Sequence, residues 1–259
     1  MSDELLYEVR DGIAHVTFNR PQARNAFTFA MYERLADICG EAEKDHSIRV
    51  IVLTGAGEKA FASGTDISQF KSFKTAEDAI AYEGRIDRVV GTLERCRVPT
   101  IAAISGACTG GGGAIAAACD LRIAAANARF GFPVARTLGN CLSMGNYARL
   151  AALIGFARAK EIIFTARLVE AEEARIIGLV SEVLLDHAAL MARAEALAKT
   201  VAGLAPLTLR ATKEALNRLM ARIPPGEGQD LILMCYMSKD FREGMDAFLN
   251  KRQPQWRGE

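Results

Sequence analysis

Four consecutive glycines, Gly110 to Gly113, stand between an apolar run, Pro99 to Ser105, and a small-residue run, Ala114 to Asp120. The first run reads as a buried strand and the second favours helix. Glycine is the poorest helix former after proline, so four at a helix start are costly. Two arrangements compensate. In one, a ligand approaches bare backbone, because the first N–H groups of a helix lack internal partners and suit an anion or an oxygen that becomes anionic. In the other, the helix packs tightly on a strand. The glycines alone leave both open.

Around this run, strand and helix patterns alternate. Leu5 to Val9 and Ile13 to Phe18 read as strands joined by an Asp11-Gly12 hairpin turn. Thr28 to Lys44 is an amphipathic helix with Met31, Leu35 and Ile38 on one side, and Arg49 to Thr54 is a buried strand ended by Gly55-Ala-Gly57. A polar, mobile-looking stretch follows Ser63, then a helix over about 80–96. Leu121 to Ala124 is another strand. Beyond Leu142 the pattern turns helical: Ala171 to Ile177 ended by Gly178, a short strand at Ser181 to Leu185, then helices over about 187–203, 206–220 and 228–250. The fold class is α/β with buried strands and a helical tail, the tail being either an assembly element or a layer of the same domain.

Half of the 259 residues are hydrophobic, enough for a sizeable core. The 32 Lys and Arg nearly cancel the 31 Asp and Glu, which removes any global pull towards nucleic acid or an anionic membrane. The six cysteines show no C-x-x-C spacing and the three histidines are scattered, so no metal is expected and the thiols read as buried ones in a reducing compartment. An acidic start and the lack of a span-length apolar run point to a cytoplasmic protein.

Nucleotide loops fit poorly. The glycine run ends Gly-Gly-Ala-Ile rather than Gly-Lys-Ser/Thr, and the next strand ends in Ala-Ala-Asn rather than an acid. A second glycine site, Phe61-Ala-Ser-Gly-Thr-Asp66, follows the strand Arg49 to Thr54, and Asp66 is placed to begin a helix. Two strand-end loops presenting N–H groups to one oxygen make an oxyanion hole.

In these features the chain resembles the enoyl-CoA hydratase/isomerase (crotonase) superfamily. The match runs through Asn19-Arg-Pro21, Asn25-Ala26, Arg49 to Gly55, Phe61 to Ile67, Pro99 to Gly106, Gly110 to Gly112, Cys119-Asp120, Phe130 to Pro133 and Ala174 to Val180, and closes with Arg242-Glu-Gly244, Phe248 and Lys251-Arg252. The resemblance implies a spiral of strand–strand–helix units over residues 1–195 that binds acyl-CoA. It implies a C-terminal helical oligomerisation region over 196–259, a homotrimer or dimer of trimers, and a role in fatty acid metabolism. Coenzyme A comes as part of the substrate, with no separate cofactor. The backbone N–H groups of Thr65 and Gly111 would hold the thioester oxygen. Thr65 to Ser68, including Asp66, would border the CoA; Ala62 and Ile67 would flank the adenine. Arg24 would lie near the phosphates, and Lys251 would reach a phosphate from a neighbouring subunit.

The sequence departs from the hydratase pattern at two positions. Ala114 and Val134 stand where hydratases carry the acid and base glutamates. A positioned acid or base contributes roughly 10²–10⁴ in rate, so simple hydration is disfavoured. The segment Arg136 to Ser143 offers Asn140, which would orient a water or an acyl group, and Cys141, a nucleophile only with a lowered pKa. Tyr82 and Glu83, on the helix after the polar stretch, would also reach the acyl pocket. The readings that remain are an enzyme of this type that stabilises a thioester enolate, one that decarboxylates, isomerises or hydrolyses an acyl-CoA, and a non-catalytic acyl-CoA-binding protein.

Overall fold

Strand β1 (Leu5–Arg10) pairs antiparallel with β2 (Ile13–Phe18) across a two-residue turn. Asp11 and Gly12 both take positive φ, 50° and 76°, as a tight hairpin turn requires. A computed structural model describes residues 4–220 and 228–257. Helix α1 (Phe29–Lys44) starts at Thr28, whose hydroxyl accepts from the Met31 N–H, and buries Met31, Leu35 and Ile38. The chain then makes three turns of one pattern. Strand β3 (Val50–Gly55) leads to β4 (Ala60–Ala62) and helix α2 (Ala76–Glu94). Strand β5 (Thr100–Ile104) leads to β6 (Ala107–Thr109) and α3 (Gly111–Ala118). Strand β7 (Leu121–Ala125) leads to β8 (Arg129–Gly131) and α4 (Val134–Thr137).

The first strand of each turn enters one sheet and the second enters another. With β9 (Val169–Glu170) and β10 (Glu182–Leu184), the sheets run β1-β2-β3-β5-β7-β10 and β4-β6-β8-β9. From β2 to β10 the larger sheet is parallel. The corner between β5 and β6 falls on Gly106, at φ +67°, where a β-carbon would lie 2.7 Å from the Ala60 nitrogen. Such corners let strands from successive turns stack.

Helix α5 (Met144–Thr165) breaks at Gly155, φ 78° and ψ 156°, and α6 (Ala171–Ile176) precedes β10. Helix α7 (His187–Ala202) lays Leu190, Ala194 and Ala198 on Val50, Val52, Ile101 and Ile123 of the larger sheet. Residue 195 therefore sits inside a helix that covers the sheet, and the expected boundary at 195/196 cuts that layer. Helix α8 (Pro206–Met220) follows, and the expected helix over 228–250 is two: α9 (Gln229–Tyr236) and α10 (Lys239–Leu249). Ser238 divides them, because its hydroxyl accepts the Phe241 N–H and starts a new helix. The polar stretch after Ser63 is ordered as a 3-10 helix, Ile67–Ser72, started by Asp66, which accepts from Ser68 N. No helix among the described residues is long and apolar enough to cross a membrane.

Candidate active site

The two glycine loops meet. Thr65 forms a parallel bridge with Phe27: the Phe27 N–H donates to Gly64 O and the Asp66 N–H to Phe27 O, each at 2.8 Å. In a parallel ladder the intervening residue turns its own N–H the other way, so that of Thr65 faces away from Phe27. Opposite, Gly111 is the first residue of α3, and its N–H has no acceptor within the helix. Gly64 and Gly110 take φ of +99° and +53°, and a β-carbon on Gly110 would sit 3.4 Å from the Gly64 Cα.

Side chains fix this pairing. The Thr65 hydroxyl lies 2.9 Å from the Tyr32 hydroxyl and 2.8 Å from that of Tyr82. Burial pushes both phenols up, so they stay protonated. The packing reading of the glycine run has direct support. A β-carbon on Gly112 would meet the Ala62 Cβ at 2.7 Å, and one on Gly113 the Phe132 ring at 2.9 Å. Gly111 is packed as well, against the Tyr32 hydroxyl, and with Gly110 it lines a cavity of about 820 Å³.

Thr65, Gly111, Ala114, Val134, Asn140 and Cys141 all border this cavity. So do Arg24, Asp66, Ile67 and Lys251, the last beside Phe248. Ala62 does not: it is fully buried against Gly112. Ser68 lies outside the lining too; it is exposed, with its hydroxyl 2.7 Å from Asp66 Oδ1. Burial acts to raise the Asp66 pKa, but hydrogen bonds from Ser68 and Arg20 prevail and hold the carboxyl below its ordinary value.

The Cys141 thiol contacts the Leu231 carbonyl at 3.5 Å. Its contact with the Cys235 thiol, together with burial, pushes it up, the wrong direction for a nucleophile. Asn140 donates from Nδ2 to the Tyr236 hydroxyl at 3.0 Å, and its buried Oδ1 has no partner. Tyr236 in turn donates to Glu83. The Glu83 side chain is buried at the cavity wall, and that burial raises its pKa to about 7, opposed by the Tyr236 hydrogen bond and assisted by Asp87. The sequence carries a signal for Glu83: Ala79, Tyr82, Ile86, Val89 and Leu93 form the apolar stripe of α2, and Glu83 lies on it.

A sequence profile described as enoyl-CoA hydratase/isomerase matches residues 8–259. The chain belongs to the enoyl-CoA hydratase/isomerase family. It is 36% identical to the short-chain-enoyl-CoA hydratase of Clostridium acetobutylicum, over 97% of this chain and 96% of that one. An enoyl-CoA hydratase/carnithine racemase from Magnetospirillum magneticum superposes with a TM-score of 0.81 at 36% identity, covering 100% and 97% of the two chains. A methylmalonyl-CoA decarboxylase bound to 2-nitronate-propionyl-CoA superposes with a TM-score of 0.89 at 26% identity, covering both chains fully. The three strand–strand–helix turns are thus this family's spiral, and acyl-CoA thioesters are the family's substrates.

Proposed function

We propose that the cavity stabilises the enolate of an acyl-CoA thioester by donating the backbone N–H groups of Thr65 and Gly111 to the thioester oxygen. The observation that carries this is the meeting of the two loops, with one N–H turned away from its ladder and the other at a helix start. Each donor of this kind is worth roughly 10²–10³ in rate. Arg24 and Lys251 are the cations of the lining suited to the CoA phosphates, and Ile67 offers an apolar contact for the adenine. The exposed Leu207, Leu216, Leu219 and Met234 of α8 and α9 fit a trimer or dimer of trimers.

Simple hydration is disfavoured because the wall is apolar at Ala114 and Val134, where a water would need an acid and a base. Decarboxylation is the second reading. The decarboxylase superposition and this apolar wall favour it, since losing CO₂ forms an enolate without a base and removes a charge from a desolvating pocket.

The test is mass spectrometry of 2-enoyl, 3-enoyl, saturated, malonyl-type and aromatic CoA thioesters incubated with the protein in heavy water. Loss of CO₂, a shifted double bond or α-deuterium supports enolate chemistry; added water shows that the two missing glutamates are replaced for hydration. Thr65→Pro removes one donor, so turnover is expected to fall about 100-fold or more while CoA affinity changes less. Equal turnover in the variant would rule out the assigned donor.

A further inference from the structure

Glu83 is a buried carboxyl that the oxyanion reading leaves without a task. The Tyr82 hydroxyl bonds Thr65, so α2 abuts the donor loop, and the next residue along borders the same cavity as Ala114 and Val134. Tyr236 reaches it from α9, 153 residues along the chain, and is held in turn by Asn140. Glu83 thereby joins the oxyanion loop to the Asn140 segment. The ionisable groups around it are Asp87 and Tyr82 on α2, Tyr32 on α1, Tyr236 on α9, Tyr147 on α5, and Cys141 at the cavity wall. None of these is a cation, so Glu83 is not one half of a structural ion pair with them.

We propose that Glu83 is the catalytic residue that exchanges protons with the carbon next to the thioester, with Tyr236 and Asn140 as its positioning residues. This rests on the reading that Thr65 and Gly111 hold the thioester oxygen. As base, the carboxylate takes the α-proton; the C–H electron pair becomes the enolate double bond, and the carbonyl π pair moves to the oxygen held by the two N–H groups. In reverse, the protonated carboxyl returns a proton to the α-carbon and the carbonyl re-forms. Where the enolate arises by loss of CO₂, the same carboxyl protonates the α-carbon and is reloaded from water. Burial that brings Glu83 to about 7 equips it for both directions near neutrality.

The experiment follows α-deuterium entering butyryl-CoA in D₂O by mass spectrometry, with butyryl-CoA binding measured alongside by calorimetry. Wild-type protein is expected to bind and exchange, the rate rising with pH through an inflection near 7. Glu83→Gln is expected to exchange about 100-fold more slowly, with butyryl-CoA affinity within about threefold; Glu83→Asp should recover part of the rate. Tyr236→Phe removes a hydrogen bond that favours the charged form, so its inflection should move upward. Wild-type exchange in Glu83→Gln overturns the role of Glu83 and leaves the oxyanion reading standing. An inflection unmoved in Tyr236→Phe also overturns it, and decides the matter if Glu83→Gln does not fold. Binding without exchange in the wild type overturns the role of Glu83 alone, whereas absence of butyryl-CoA binding overturns both readings together.

Discussion

The Tyr32 hydroxyl occupies the space that a side chain on Gly111 would fill. Gly111 is thus a glycine because of a phenol on α1, and that phenol also bonds the Thr65 hydroxyl across the loop. With Tyr32 truncated to Phe, the nearest atoms to a β-carbon at 111 become Thr65 Oγ1 at 3.3 Å and Tyr32 Cζ at 3.5 Å, which small shifts accommodate. Gly111→Ala is therefore expected to lower turnover and destabilise the chain by roughly 1–3 kcal/mol, the usual range for overpacking. The double variant Gly111→Ala/Tyr32→Phe should regain much of the stability. A double-mutant cycle by urea denaturation reads the coupling, and purely additive effects would show that the clash is not the cause.

Asn25 plays a similar organising part on the other side of the loop. It is fully buried at φ 55°, accepts the Arg20 N–H at 3.0 Å and donates to Ala60 O at 2.7 Å and Ala56 O at 3.2 Å. That ties the β3–β4 connection to the segment carrying Arg20, which pairs with Asp66. Asn25→Asp places a carboxylate oxygen against two carbonyls that need a donor. A loss of about 2–4 kcal/mol is expected, more than for a neutral unsatisfied group. Denaturant midpoints for Asn25→Asp, which tolerates positive φ but lacks the donor, and Asn25→Gly, which suits positive φ and lacks the whole side chain, check whether the donor or the backbone conformation dominates.

Strands such as Val50–Gly55 and Thr100–Ile104 were legible because burial on both faces demands continuous apolar runs. Strands β4, β6 and β8 were not, since three residues are too few for a period to register. They form because strands of successive turns pair with one another, β4 with β6 and β6 with β8, which is a property of the assembled spiral. The two glycine loops were visible as glycine clusters, but their meeting depends on the pairing of β4 with β6, which directly precede them. The tie between Glu83 and Tyr236 was not legible, because Tyr236 lies on a helix distant in sequence and a single charge on an apolar stripe does not name its partner.

Helix α5 is fastened to α2 by Arg149, whose Nε and Nη2 meet the two Glu94 oxygens at 2.9 Å each while Nη1 reaches Asn146 Oδ1 at 3.1 Å. The pair is largely buried, so removing one partner strands the other charge. Arg149→Met is expected to cost about 3–5 kcal/mol. Replacing both partners, Arg149→Met with Glu94→Leu, should restore most of that loss, because no buried charge is then left unpaired. A double variant no more stable than Arg149→Met would assign the effect to packing instead, and urea titrations of the three proteins tell the outcomes apart.

Glu83 also makes stability depend on pH. Its carboxyl ionises near the ordinary 4.5 in the unfolded chain and near 7 in the folded one, because burial disfavours the charge. Between those values the folded state binds more protons than the unfolded state, so this group's contribution is full below pH 4.5 and declines as pH rises to about 7. Above that it stays at its lower level. Glutamine keeps the shape and escapes the ionisation, so Glu83→Gln should match the wild type's pH trend near pH 4.5 and gain on it by about 3 kcal/mol by pH 8. Urea unfolding of both proteins from pH 4.5 to 8 checks this, since groups common to the two cancel in the difference. A gap that does not grow with pH would mean that the Glu83 carboxyl titrates alike in the folded and unfolded chains.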